Sequence, residues 1–107
     1  MTYGGDVHVP THIFEAAALH FTLKVSCIQC GNFAVFDAAG VWWYFKGKHW
    51  DDHLRTAHQH FYCASCTRIS RRRVGAKPLQ AVNDKANKFL PWPDQREWKR
   101  AISRFRL

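Results

Sequence analysis

Four cysteines carry the densest chemistry in the chain: Cys27 and Cys30, then Cys63 and Cys66, each pair separated by two residues and the pairs by 32. Two intervening residues let both sulfurs of a tight turn face one point while backbone N–H groups bond to them from behind. Gly31, directly after the first pair, supplies the positive φ that such a turn often requires. Two turns of this kind complete a tetrahedral four-sulfur site, the donor set of structural zinc. With every coordination position taken by protein, the ion has no place for water, so the spacing predicts a metal that stabilises a fold and does no catalysis. Other readings of the thiols stand beside zinc. An iron–sulfur cluster accepts the same four ligands and would show itself by colour. A redox pair needs a strand-to-helix setting that is not expected at either pair. Cysteines buried merely as small apolar residues have no reason to fall into two matched pairs.

A second chemistry is carried by cations. Residues 68–107 hold twelve Lys and Arg against three acidic residues, and residues 1–67 hold four against five, so the formal net charge of +8 arises entirely in the second segment. Arg68, Arg71, Arg72 and Arg73 follow the second cysteine pair at once, while Arg96, Lys99, Arg100, Arg104 and Arg106 fall on one face of a helical pattern. Phosphates are the natural counterpart: neutralising them releases condensed counterions and gives salt-dependent binding to DNA or RNA. Plainer explanations are a charged sheet edge that blocks aggregation, and a final helix whose apolar stripe packs on its own core. An anionic membrane surface or the groove of an acidic protein partner would also accept the basic helix.

Seven histidines are present, and His49, His53, His58 and His60 are dense enough to suggest a second metal site or a pH-sensitive patch; their polar neighbours favour a solvated surface. The run Trp42-Trp43-Tyr44-Phe45 could stack on unpaired bases, but a small domain needs core volume and the run reads first as core, with at least one ring reaching the surface. No nucleotide-binding glycine loop, no nucleophile elbow and no carboxylate pair placed for acid–base work is found, so neither an enzyme nor a small-molecule substrate is expected.

The elements that must position these residues follow from pattern. A length of 107 residues with 47% hydrophobic and 15% aromatic residues excludes wholesale disorder and suits one core. The longest apolar run is Val41–Phe45, and no basic region followed by an apolar stretch opens the chain, so neither a membrane span nor a secretory signal is expected; reduced thiols then suggest a cytoplasmic setting. After a loose lead-in, Met1–Pro10, Thr11 is placed to cap a helix with Phe14, Ala17, Ala18 and Phe21 inward. Alternation from Phe21 to Cys27 predicts a half-buried strand, and Phe33–Phe36 its hairpin partner. Asp37 then caps an apolar helix that Gly47 ends, and Asp51 or Asp52 caps a short helix to about Ala57. Phe61 and Tyr62 lead back to the second pair as a strand, and Thr67–Val74 reads as another. Leu79, Val82, Ala86, Phe89 and Leu90 have helical spacing. Beyond Pro91 and Pro93, Asp94 and Glu97 form a capping box for a helix with Trp98, Ala101, Ile102 and Phe105 as its apolar stripe.

The strand into Cys27-x-x-Cys30-Gly31, then Phe36-Asp37-Ala38-Ala39, an apolar helix, a glycine break, Trp50-Asp51-Asp52-x-Leu54 and Phe61-x-Cys63-x-x-Cys66 resembles the small uncharacterised bacterial zinc-ribbon-type proteins over about residues 11–70. That resemblance implies a zinc ribbon with a helical insertion between its two knuckles and brings no settled activity. Thr67 departs from the pattern, standing where a second Cys-x-x-Cys-Gly turn is usual. The expected fold is α+β: a zinc-ribbon-like β-hairpin core with the insertion, over residues 1–75, and a basic helical extension over residues 76–107. The expected function is a non-catalytic module that binds zinc through Cys27, Cys30, Cys63 and Cys66. It would contact nucleic acid through Arg68, Arg71, Arg72, Arg73, Arg96, Lys99, Arg100 and Arg104, an acidic protein partner being the alternative.

Overall fold

The computed structural model describes residues 10–105; the remainder of the expected lead-in, and Arg106 of the last basic face, lie outside the described residues. The alternation that begins at Phe21 produces strand β1 (Thr22–Ser26), with Leu23 fully buried and Lys24 directed away from the core. β1 pairs antiparallel with β2 (Phe33–Asp37) in the register Thr22–Asp37 to Ser26–Phe33, so the turn between them presents the first cysteine pair. On its other edge β1 pairs with β3 (Gln80–Val82), giving the order β2-β1-β3. Residues 79–90 are therefore not helical. Their apolar spacing is satisfied by extended chain lying against the open edge of β1 and along β2, where Asn87 Oδ1 accepts the Val35 N–H at 3.0 Å.

Helix α1 (Ile13–Ala18) starts one residue later than expected, with His12 at its cap; Thr11 instead binds Glu15 through its N–H, at 2.6 Å. The apolar helix is α2 (Ala38–Lys48), buried nearly all round through Ala38, Ala39, Gly40, Val41, Trp42 and Phe45, while Tyr44 reaches solvent as the run required. It runs through Gly47 and stops at His49, which takes the left-handed conformation (φ 59°) because its N–H turns back to the carbonyls of Phe45 and Lys46. Gly40 has a packing reason: a Cβ there would lie 2.7 Å from the Leu90 carbonyl oxygen. Neither Asp51 nor Asp52 caps α3 (Leu54–Ala57). His53 does so, its Nδ1 accepting the Arg55 N–H at 3.1 Å, while Asp51 is engaged by the His53 N–H and Asp52 by the Phe14 N–H. A 3₁₀ turn, His58–His60, follows.

The second cysteine pair departs most from the sequence pattern. Residues 64–70 form helix α4 (Ala64–Ser70) where a strand was expected from Thr67 onward, and Arg71 closes it in a left-handed conformation. Tyr62 makes only an isolated bridge, to Gly75. Last comes α5 (Gln95–Phe105). The expected capping box does not form, because Glu97 is drawn off to Lys46 at 3.2 Å and Arg100 at 3.1 Å. Trp98 instead packs edge-on against Phe14 and Trp42, with ring centroids 5.7 and 5.6 Å away.

The result is an α+β fold built on a small antiparallel sheet, and its buried side chains divide into two clusters. The larger, including Ile13, Leu23, Val41, Phe45 and Leu79, joins α1, α2, α3 and the sheet. The smaller consists of Cys27, Cys66 and Val74 with Cys63 against them.

Candidate metal centre

Cys27 closes β1 and its N–H is fixed to the Asn32 carbonyl at 2.8 Å, which folds residues 28–31 into a tight turn over its sulfur. Within that turn the N–H groups of Gln29 and Cys30 donate to Cys27 Sγ at 3.3 and 3.4 Å, and Gly31 takes φ 76°, as the spacing predicts. The other pair is held differently. Cys63 immediately precedes α4 and its N–H bonds the Val74 carbonyl, while Cys66 lies in the first helical turn; Val74 is fastened in return, its N–H donating to Thr67 Oγ1 at 3.0 Å. Thr67, which breaks the knuckle pattern, is thus the residue that ties the end of the arginine segment back onto α4.

All four sulfurs lie within 4.8 Å of one another, with Cys27–Cys66 at 3.7 Å and Cys30–Cys63 at 4.0 Å. A tetrahedron with metal–sulfur bonds of about 2.3 Å has sulfur–sulfur edges of about 3.8 Å, whereas a disulfide would need about 2.05 Å. The four side chains therefore stand as free thiols at ligand spacing for one ion. Cys27 and Cys66 are buried, Cys63 is half-buried and Cys30 faces solvent, so the cluster opens on one side. Acidity follows the geometry. The N–H of Cys30, aided by that of Gln29 and opposed by burial, draws Cys27 down from 9.0 to about 6. The neighbouring Cys30 sulfur, and then burial, push Cys66 up to about 12. Sulfurs so close cannot all carry charge without a cation between them. A thiolate-preferring metal fits this donor set, and its chemistry here would be to neutralise the thiolates and cross-link the turn to α4.

The candidate phosphate-binding residues are all exposed. Among the described residues only Arg100 of the eight forms an ion pair, with Glu97. Arg73 reaches the Gln59 carbonyl at 2.8 Å and lies 5.9 Å from the Tyr62 ring centroid. The structure hangs the eight on two different supports: Arg68 to Arg73 on α4 and the turn beside the cysteines, Arg96 to Arg104 on α5, which is anchored to the larger cluster through Trp98 and Ala101. The histidines form no metal group among the described residues. His49 is exposed, as its polar neighbours suggest, whereas His53, His58 and His60 are half-buried: His53 caps α3, and His60 stacks on Trp50 with ring centroids 3.9 Å apart.

Sequence reasoning missed a cavity of about 330 Å³ beside the cysteines, walled by Phe33, Phe36, Phe61 and Tyr62 with Lys88 at its edge. Its walls come from the β1–β2 hairpin, from residues 61–65 around Cys63, and from Ala76 and Lys88 on either side of β3, so only long-range pairing assembles it. Among the described residues no helix is long and apolar enough to cross a membrane. No known protein family, curated protein or solved structure matches the chain, and the function of the site follows from its own chemistry.

Proposed function

We propose that the chain is a non-catalytic zinc-binding module that contacts nucleic acid through Arg68, Arg71, Arg72 and Arg73, with Arg96, Lys99 and Arg104 of α5 as a second group. Zinc would bind Cys27, Cys30, Cys63 and Cys66 as thiolates and so hold α4 against the β1–β2 turn. The observation that carries the reading is a set of seven exposed cations that, among the described residues, form no ion pair, four of them rooted within seven residues of a cysteine of the thiol cluster. Counterion release from phosphate is the interaction such a surface favours most.

The test is a salt titration of zinc-loaded protein on a labelled oligonucleotide. Affinity should fall steeply with salt, and replacing Arg71, Arg72 and Arg73 together by Ala should flatten the logarithmic slope by roughly two to three. An unchanged slope in a folded, zinc-loaded triple variant overturns it. Ile69, 81% exposed between Arg68 and Arg71, favours a second reading, an acidic protein partner. Binding to polyglutamate that equals binding to DNA at matched charge would support that alternative.

A further inference from the structure

The aromatic run that could have stacked on bases is spent on the core except at Tyr44, and exposed rings occur elsewhere. Phe33 and Tyr62 are 56% and 59% exposed, although neither belongs to a surface that needs them for packing. Both line the cavity beside the cysteines, together with the half-buried Phe36 and Phe61. Each ring also has a cation close by: Lys24 Nζ stands 4.3 Å from the Phe33 centroid and the Arg73 guanidinium 5.9 Å from that of Tyr62. Lys24 and Arg73 line neighbouring cavities and not this one. Among the described residues Lys88 is the only Lys, Arg, Asp or Glu lining the cavity, whose wall also includes Cys27 and Cys63 of the candidate metal centre.

We propose that this cavity accepts an unpaired nucleobase, stacked against Phe33 or Tyr62, while Lys24, Arg73 and Lys88 meet the phosphates on either side of it; this rests on the nucleic-acid reading above and makes the preferred ligand single-stranded. The physical case is one of fit. Stacking needs an apolar floor and rings free on one face, and every base supplies a matching π-surface. Lys24 and Arg73, beside the rings rather than in the cavity, attract the backbone without filling the stacking space. A base within a duplex is already stacked on both sides and cannot enter without being extruded.

The experiment uses the full zinc-loaded chain with two fluorescent probes, a 12-nucleotide oligothymidine and a duplex of equal length, followed by anisotropy at two salt concentrations. Oligothymidine should bind more tightly, and Phe33→Ala with Tyr62→Ala should weaken it by roughly tenfold or more while leaving duplex binding unchanged. Phe33→Ala combined with Tyr62→Trp in place of Tyr62→Ala should recover most of the loss, because a larger ring still stacks. The exposure of both side chains makes the double variant foldable, and bound zinc per chain checks that it is. Equal affinity for both probes, or a double variant that binds oligothymidine like the wild type, overturns the base pocket while the salt-dependent nucleic-acid reading survives. Binding of neither probe overturns both. Equal loss on both probes in a variant that retains zinc also overturns it, because contact would then be electrostatic or structural rather than by stacking.

Discussion

Chelating the metal should unfold one part of this chain and leave the other standing. Residues 63–76 are held by little of their own: the buried side chains of Cys66, Val74 and Ala76, of which Val74 alone is a branched aliphatic, and a few backbone bonds such as Ile28 N–H to the Gly75 carbonyl and Lys77 N–H to the Ser26 carbonyl. Burial of Val74 contributes about 1.5–3 kcal/mol, whereas ordering each backbone residue costs about 1–2 kcal/mol, so this segment cannot stay fixed by apolar contact. A four-thiolate zinc supplies on the order of 10–16 kcal/mol, comparable to or larger than the whole net stability of a typical domain, about 5–15 kcal/mol. The larger cluster contains no cysteine, and Ile13, Leu23, Val41 and Phe45 within it are fully buried, so α1, α2 and the β1–β2 hairpin keep their own support.

Hydrogen exchange with and without chelator measures the difference. The amides of Cys63, Thr67, Arg71 and Val74, all hydrogen-bonded in the structure, should lose protection by roughly a thousandfold or more, since every 1.4 kcal/mol is about tenfold. Those of Leu23, Val25 and the middle of α2 should change by less than about tenfold. Cys66→Ser should reproduce the pattern without chelator. Loss of protection spread evenly over both parts would show that the two clusters fold as one unit, and no loss at all would show that the thiols hold no metal that matters; either refutes the reasoning.

Further outcomes follow from single contacts. Gly40→Ala should destabilise by about 1–3 kcal/mol in thermal unfolding, even though alanine favours helix by about 1 kcal/mol, because its Cβ meets the Leu90 backbone. Lys46, by its hydrogen bond, and then Arg100 hold the Glu97 carboxyl below its ordinary 4.5, so its contribution is complete above that value and fades as pH falls below it. Trp fluorescence should report loosening of α5 on acidification, and Glu97→Gln should remove that step. Zinc loading near neutral pH should release protons, at least one of them from Cys66, whose thiol is pushed up to about 12; a pH indicator in weak buffer checks this.

The cysteine spacing made the thiol cluster legible because two-residue gaps and a following glycine are local constraints, and the structure meets them within one turn at Cys27–Gly31. The β1–β2 hairpin and the buried α2 were legible for the same reason, being written in neighbouring residues. What sequence could not carry was pairing at a distance. Leu79 to Leu90 reads as helix by spacing, yet β1 offers an open edge some sixty residues earlier in the chain and the segment pairs with it as β3. Thr67 to Val74 reads as strand by its β-branched and arginine residues, yet Cys63 and Val74 close on each other and leave α4 between them. Helix ends shifted where a histidine could do the work of the expected residue, His49 for Gly47 and His53 for the aspartates.

These distant pairings bear directly on how the charge is displayed. Had Thr67 to Val74 formed a strand, Arg68, Arg71, Arg72 and Arg73 would have alternated between its two faces, with half of them turned toward the molecule. Helix α4 followed by a left-handed Arg71 leaves all four exposed, and it can do so only while Cys63 and Cys66 remain fastened to the β1–β2 turn. The α5 cations stand on a different footing, since Trp98 and Ala101 hold that helix to the larger apolar cluster. On the proposed function a bound metal would govern the presentation of one basic group and not of the other, and a protein stripped of it is expected to retain α5's share of phosphate attraction while losing the ordered share of the arginine turn.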